Sequence, residues 1–499
     1  MKICSVVSRG WRAGLLMMLT IAVGAIGEEL PERESISAEQ FEKFIEEAMK
    51  RYQVPGASVT VVKDGKSVLV KGFGFRDLET AAPVDADTIF HLASVSKVLT
   101  AMAAGAVADA GKLGWDQPVV EVLPGLRLMD EHATQDVTLR DLLTHRTGLV
   151  SYGFPPYWRH LFPREELLKR LRFIHPAYSF RDHAEYSNIG YFLAGEAAAA
   201  AWGSTYEKLL SESVLVPVGM SRSGYWGDFD EDKNVSRQYR VVDGQAKAVE
   251  VSMPDTYASS SGLSSTANDL AKMMNVLLAK GKSGDRQVLK EETVETMFSP
   301  VLASQMDFAA VPPIGADTGF FFSPGWNVYY SGNRRVVEKS GALEGIRASV
   351  MLVPEEELGV AVLANLHLTT FPEAVRTKVL LEAVEGANGE KEDGESKQLQ
   401  ERIFQQGGEI AKILANKPKP PSDGHPPRYV PVNYAGVYVS DLFGKWTIKV
   451  DAEAKGEFVL NVGTESGQWS GVLRGWDGDT LMFDWPGALT WPDLAVFRF

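Results

Sequence analysis

Along residues 38–52 the apolar side chains Phe41, Ile45 and Met49 recur four apart among Glu, Lys and Gln, which predicts an amphipathic helix. The pattern then shortens to two β-rich runs, Ser58–Val62 and Ser67–Phe75, on either side of Lys63-Asp64-Gly65-Lys66. Two such runs about an Asp-Gly pair predict a hairpin. An Ala-rich run from about Ser94 to Ala110, closed by Gly111, predicts a long helix, and a second covers Ile189–Trp202. Strand-like runs return at Trp326–Tyr330, Arg335–Lys339, Ile346–Val353 and Val360–Asn365. Strands therefore open and close this stretch, and helices fill its middle. That order predicts an α+β domain whose central antiparallel sheet joins the first and last strands, flanked by helices and a helical subdomain.

A chain of 499 residues is long for one core, and its composition changes near residue 385. Residues 386–428 read as a charged and Pro-rich linker, with a short helix to Ala415 and a stiff Lys417–Gly424 segment. Short aromatic runs at Tyr434–Val439, Trp446–Val450, Glu457–Val462, Trp469–Arg474, Thr480–Phe483 and Ala495–Phe499 follow. Separated by Gly and Asp turns, they predict a small all-β, barrel-like domain over 429–499. At the other end, Lys2, Arg9 and Arg12 precede the apolar run Ala13–Ala25, the pattern of a secretory signal over 1–27. The alternative is an uncleaved anchor, for which the run is short. Beyond it no segment is apolar enough to span a bilayer. The expectation is export, periplasmic or secreted, with no stable membrane span after signal cleavage.

Charge and residue counts narrow the chemistry. A net charge of −14 leaves no basic footprint, which argues against nucleic acid as a partner. Cys4 is the only cysteine, so a disulfide scaffold, a Cys-based zinc site and a thiol nucleophile are excluded. No HExxH pair occurs, and neither a metal nor a cofactor is expected.

A serine becomes a nucleophile when one group accepts its proton and others stabilise the oxyanion. The GxSxG elbow is absent, but Ser94-Val95-Ser96-Lys97 is the one place where a lysine follows a serine by three. On a helix that spacing places Lys97 one turn on, on the same face, while the helix N-terminus sets N–H groups beside Ser94. Tyr186-Ser187-Asn188 is the one Tyr-x-Asn in the chain. A tyrosine beside a lysine cation can lose its proton below its ordinary pKa and act as a base. Lys339-Ser340-Gly341 ends a strand, where a cleft-lining edge could offer N–H groups; the same tripeptide at Lys282-Ser283-Gly284 falls in a turn.

These three motifs, in this order, resemble the penicillin-recognising serine hydrolases: class C β-lactamases, DD-peptidases, D-aminopeptidases and β-lactamase-like esterases. Thr138–Leu149, Ser259–Ala271 and the Pro55–Gly74 hairpin extend the likeness over residues 35–385. The resemblance implies a β-lactamase/transpeptidase-like fold with Ser94 as nucleophile, Lys97 as its proton partner and Tyr186 as general base. It implies that Asn188, Lys339, Ser340 and Gly341 bind substrate, and that the N–H groups of Ser94 and Ala342 form the oxyanion hole. The β-rich tail resembles the lipocalin-like domain that follows this domain in exported relatives. Two departures stand out. Ser179–Glu185 precede Tyr186 without the usual Pro-Gly turn, and no acidic residue matches the class A deacylation glutamate.

The implied function is an exported serine hydrolase acting on a small-molecule ester, peptide or β-lactam. The alternative is a catalytically lapsed binding or scaffold protein, against which the four intact residues argue. Carboxylesterase, D-amino-acid peptidase and β-lactamase stay open, because fold does not settle substrate. Among the other conspicuous residues, His145 is expected to hold a loop and His91 to pack at the start of the Ser94 helix. Asp109, Asp116 and Asp141 read as caps and turn residues, and Trp326 as either cleft lining or core.

Overall fold

The computed structural model describes residues 38–150, 162–251, 253–304, 320–331, 333–385, 392–415, 435–450, 458–464, 467–477 and 480–484. The expected signal at 1–27 and the last expected strand, 495–499, lie outside the described residues.

Among the described residues nine antiparallel strands form the main sheet. They are β1 (Gly56–Lys63), β2 (Lys66–Asp77), β3 (Ala82–Pro83), β4 (Leu302–Ala303), β5 (Phe321–Ser323), β6 (Trp326–Ser331), β7 (Arg334–Leu343), β8 (Ile346–Val353) and β9 (Leu358–Ala364), in the order β4-β5-β6-β7-β8-β9-β1-β2-β3. The first and last strands meet as expected, with Val59 opposite Val362 and Val61 opposite Val360. The β1–β2 turn falls at Asp64 and Gly65, both at positive φ, the backbone that matches the twist of a tight hairpin.

Both faces of the sheet are covered. On one, Val59, Val61, Val360 and Val362 pack with Phe41 and Ile45 of α1 (Ala38–Tyr52) and with Phe371 and Val375 of α6 (Phe371–Glu385). On the other, Val62, Val350, Leu352 and Leu363 share a core with helices α2 (Ser96–Asp109), α3 (Leu139–Leu143), α4 (Asn188–Trp202) and α5 (Ala267–Leu278). These four helices come from the chain between β3 and β4. Residues 96–107 of α2 are all buried, which is why this helix reads as apolar on every side rather than amphipathic.

The stretch expected as linker is in part packed structure. Residues Glu392–Ala415 form one helix, α7, longer than the short helix its composition suggested. Leu399 and Ile403, four apart, bury against Ala374 and Leu381 of α6. Phe404 meets Tyr52 edge-on at 5.2 Å between ring centroids, Thr370 donates to the Ile403 carbonyl at 3.0 Å, and Arg51 pairs with Glu401. A charged sequence hid a narrow apolar stripe.

Beyond it, β10 (Gly436–Ser440), β11 (Gly444–Val450), β12 (Phe458–Thr464), β13 (Gly467–Asp477) and β14 (Thr480–Asp484) pair in chain order as an antiparallel meander. Among the described residues β10 and β14 are the two edges of this sheet and no barrel closure is seen; the expected last strand lies outside them. The first hairpin leans on the main domain. Trp446 and Ile448 join its helical core, and Arg170 donates to the Asp441 carbonyl.

Ile403 is fully buried, so Ile403→Ala is expected to lower stability by about 2–5 kcal/mol in urea unfolding. A helix acting as a mere spacer predicts a change within about 0.5 kcal/mol.

Candidate active site

A 3₁₀ turn, Ala93–Val95, leads into α2, so Ser94 stands two residues before the α-helix proper. Ala93 carries φ 47°, a left-handed backbone that an L side chain adopts at a cost, and functional turns are where such strain collects. The turn is pressed against β7. A Cβ built on Gly341 would lie 2.3 Å from the Leu92 carbonyl oxygen and 2.9 Å from the Ser94 nitrogen, so only glycine fits there. Pairing between β6 and β7 ends at Asn327 opposite Glu338, whereas β7 continues against β8 to Leu343. Residues 339–343 thus belong to an interior strand that outruns one neighbour. The edge expected at Lys339 is this local overhang, not an edge of the sheet.

Ser94 is half-buried, while Lys97, one turn on, is fully buried. Its Nζ lies 3.1 Å from Ser94 Oγ, 2.7 Å from Asn188 Oδ1 and 2.7 Å from the Ser260 carbonyl. Tyr186 donates its hydroxyl to Ser94 Oγ at 2.9 Å from the other side. Asn188 opens α4, whose preceding residue Ser187 caps the helix by accepting from the Gly190 N–H. Tertiary packing therefore brings Ser94, Lys97, Tyr186 and Asn188 onto one oxygen and one amine. The Ser260 carbonyl was missed, since any residue can supply a backbone oxygen. Its one trace is the Ser259–Ala271 likeness.

Tyr186 differs from expectation. Burial pushes its phenol well above the ordinary range, and the Ser94 hydrogen bond only partly opposes this. Desolvation penalises the anion, so burial favours the neutral phenol over a phenolate. Lys339 also faces this ring, its Nζ 5.0 Å from the ring centre, with Lys97 Nζ at 5.1 Å. Among the described residues no carboxylate lies in ion-pair range of Lys339, and burial lowers its amine to about 7.

Ser340 is a correction. Successive residues of a strand face opposite ways, so Lys339 points at Tyr186 and the Ser340 hydroxyl points at α6. There it donates to Glu373 Oε1 at 3.3 Å and lies 3.5 Å from Arg376 Nη1. Arg376 pairs in turn with Glu338, and Arg347 with Glu373, forming a buried and charge-balanced group behind the strand. The hydroxyl is occupied by that group, not held beside the Lys339 amine. Gly341 and Ala342 lie on the overhang itself, Ala342 opposite Arg347 of β8.

The residues read as structural are so placed. His145 Nδ1 accepts the Ser187 N–H at 3.0 Å and its ring lies 4.4 Å from that of Tyr186; burial, then the charges of Lys339 and Lys97, hold it neutral. His91 stacks on Trp226, accompanied by Ser264 Oγ at 2.8 Å from Nδ1, and burial drops its pKa to about 3. Asp109 accepts from the Lys290 N–H and the Thr293 hydroxyl, both at 2.6 Å, at the start of the helix Glu291–Phe298. Asp116 takes both arms of Arg140. Trp326 is core, packed edge-on against Phe298.

Comparison with known proteins matches the chain to a family and to solved folds. The β-lactamase family pattern matches residues 41–385. The chain is 24% identical over 437 residues to the unguisins hydrolase ungD of Aspergillus violaceofuscus, covering 83% of this chain and 76% of that protein. It is 23% identical to protein flp of Staphylococcus aureus strain N315, covering 68% and 65%. Among solved structures, the octameric penicillin-binding protein homologue of Pyrococcus abyssi superposes with a TM-score of 0.62 at 24% identity, over 90% of this chain and 93% of that one. A class C β-lactamase of Rhodobacter sphaeroides superposes at 0.57 with 20% identity, over 70% and 99%. With a family match that spans the sheet, the helical insertion and all three motifs, the chain belongs to the β-lactamase family.

Proposed function

We propose that this protein is an exported serine hydrolase that cleaves an ester or amide through an acyl-enzyme on Ser94. The observation that carries the reading is the position of Ser94 Oγ, within hydrogen-bond reach of both the Lys97 amine and the Tyr186 hydroxyl. A buried amine with two acceptors besides the serine can serve as the base. When uncharged, it places its two hydrogens on Asn188 Oδ1 and the Ser260 carbonyl and turns its lone pair to Ser94. Attack of Ser94 Oγ on the substrate carbonyl passes the serine proton to Lys97. Tyr186, neutral and donating toward the same oxygen, gives its proton to the leaving group and recovers one from the Lys97 ammonium, so the two side chains act as one relay, and water then releases the acyl group from Ser94. The Ser94 N–H and the Ala342 N–H on the β7 overhang stabilise the tetrahedral oxyanion. The names of the relatives, a hydrolase and class C β-lactamases, support acyl transfer as the chemistry. A merely binding role has no use for two proton carriers on one hydroxyl.

Ser94→Ala is expected to lower kcat by about 10³-fold or more with the fold intact, because nucleophile and base act as a unit. A fluorophosphonate should label Ser94 in the parent protein. Mass spectrometry that finds the label on another serine overturns the assignment.

Lys339 supplies the substrate preference. Its amine is buried without a carboxylate partner among the described residues, and a substrate carboxylate beside the scissile bond would provide one. The cation is needed for that contact, and it is lost as pH rises through about 7. For an acidic substrate, kcat/KM is therefore expected to fall above that pH, up to about tenfold per pH unit, relative to the methyl ester of the same compound. Lys339→Ala should cost the acid about 10- to 150-fold and the ester far less. Equal losses and parallel pH profiles for acid and ester rule out carboxylate recognition.

A further inference from the structure

Tyr186 reaches Ser94 at the end of a loop, and the structure shows what holds that loop. Residues 179–182 form a turn closed by the Asp182 N–H on the Ser179 carbonyl at 3.1 Å. Phe180 and Arg181 take its two central places, and Arg181 has φ 65°. The second central place of such a turn favours glycine, and this chain puts an arginine there. The guanidinium is committed elsewhere. Arg181 Nε lies 2.9 Å from Asp141 Oδ1 and Nη2 lies 2.8 Å from Asp141 Oδ2, a two-pronged pair, and Nη2 also reaches the Asp136 carbonyl at 3.1 Å.

Asp141 is buried and does more than cap α3. It closes the capping box with Thr138, accepting from that residue's N–H at 3.0 Å and hydroxyl at 2.8 Å, and it also pairs with Arg146. Burial alone would raise its carboxyl, but the Arg181 hydrogen bond, the Arg146 charge and Thr138 outweigh that and hold it below the usual range. Arg146 and Arg181 sit on the two sides of one short ladder. The Arg181 N–H donates to the Arg146 carbonyl, and the Glu185 N–H to the His145 carbonyl, both at 2.8 Å. The Ser187 N–H then donates to His145 Nδ1 at 3.0 Å. Tyr186 lies between those last two contacts. One carboxylate thus clamps both rails of the ladder that carries the Tyr186 hydroxyl.

We infer that Arg181, through its pair with Asp141, is a positioning residue that holds Tyr186 on Ser94, standing in for the turn glycine by a side-chain clamp. The inference rests on the reading of Ser94 and Tyr186 as the reacting pair. It does not make Arg181 a catalytic residue, since the guanidinium touches none of the reacting atoms.

The test is the rate at which a fluorophosphonate labels Ser94 in the full chain, for the parent protein, Arg181→Gly and Arg181→Lys. Glycine suits the backbone angle and removes only the clamp; lysine keeps the charge and loses the two-pronged geometry. Loosening the loop by a fraction of an ångström is expected to slow labelling of Arg181→Gly by roughly 10- to 100-fold. Millimolar ethylguanidinium should restore part of that rate, and Arg181→Lys should fall between. If Arg181→Gly labels as fast as the parent protein, the clamp does not position Tyr186, and the Ser94 assignment stands. If slowed labelling tracks only the folded fraction in circular dichroism, with no rescue, the role is structural and the inference fails. Should Arg181→Gly not fold, a parent-like rate in Arg181→Lys overturns it. A parent protein whose Ser94 takes no label removes the reading and the inference together.

Discussion

The site is organised by one buried amine. A lysine held out of water donates and cannot accept when charged, so its burial is tolerable only where acceptors surround it. Lys97 finds them in three separate parts of the chain: Ser94 in its own turn, Asn188 at the start of α4, and the Ser260 carbonyl in the loop before α5. Each partner is fixed in turn. Ser187 caps α4 just before Asn188, and the Ser259 carbonyl next to Ser260 accepts the Thr100 hydroxyl at 2.6 Å from within α2. Satisfying this single group draws the helices of the insertion together around Ser94.

The sheet supplies the other half of the constraint. Because β7 runs past its β6 neighbour, five residues of an interior strand have one open side, and the Ser94 turn occupies it. That approach leaves no room for a side chain at Gly341. On the reverse face, two arginines and two glutamates balance one another around Ser340 and Ser349. Buried charges of this kind add little net stability, yet removing one partner is costly, which suits a group that ties α6 to the strand without facing the cleft. Lys339 is the exception, a buried cation left without an ion-pair partner among the described residues on the face that looks at Tyr186.

Much of this was legible in the amino-acid order. The period of apolar residues marked the helices and strands, and Asp64-Gly65 marked the hairpin. The order of strands, helices and strands implied that the two ends of the domain share a sheet. Ser94 and Lys97 lie one helical turn apart, so their pairing is local and readable from spacing alone. What failed were statements that depend on surroundings. The tyrosine's pKa depends on how much water it loses, and burial pushes it up against the Ser94 hydrogen bond. The helix Glu392–Ala415 looked like part of a spacer because most of it is polar; its buried Leu399 and Ile403 gain meaning only from the surface they meet.

The sequence by itself determined the family, the three motifs and their chemical types, since these rest on residue identity and short-range spacing. The tertiary structure alone decided which groups share an oxygen, on which side of the strand Ser340 falls, and that Asp141 clamps the Tyr186 loop. The reason is physical. Ser94 and Tyr186 are separated by a long stretch of chain, and distances of that kind are set by core packing and strand register, which no local pattern encodes.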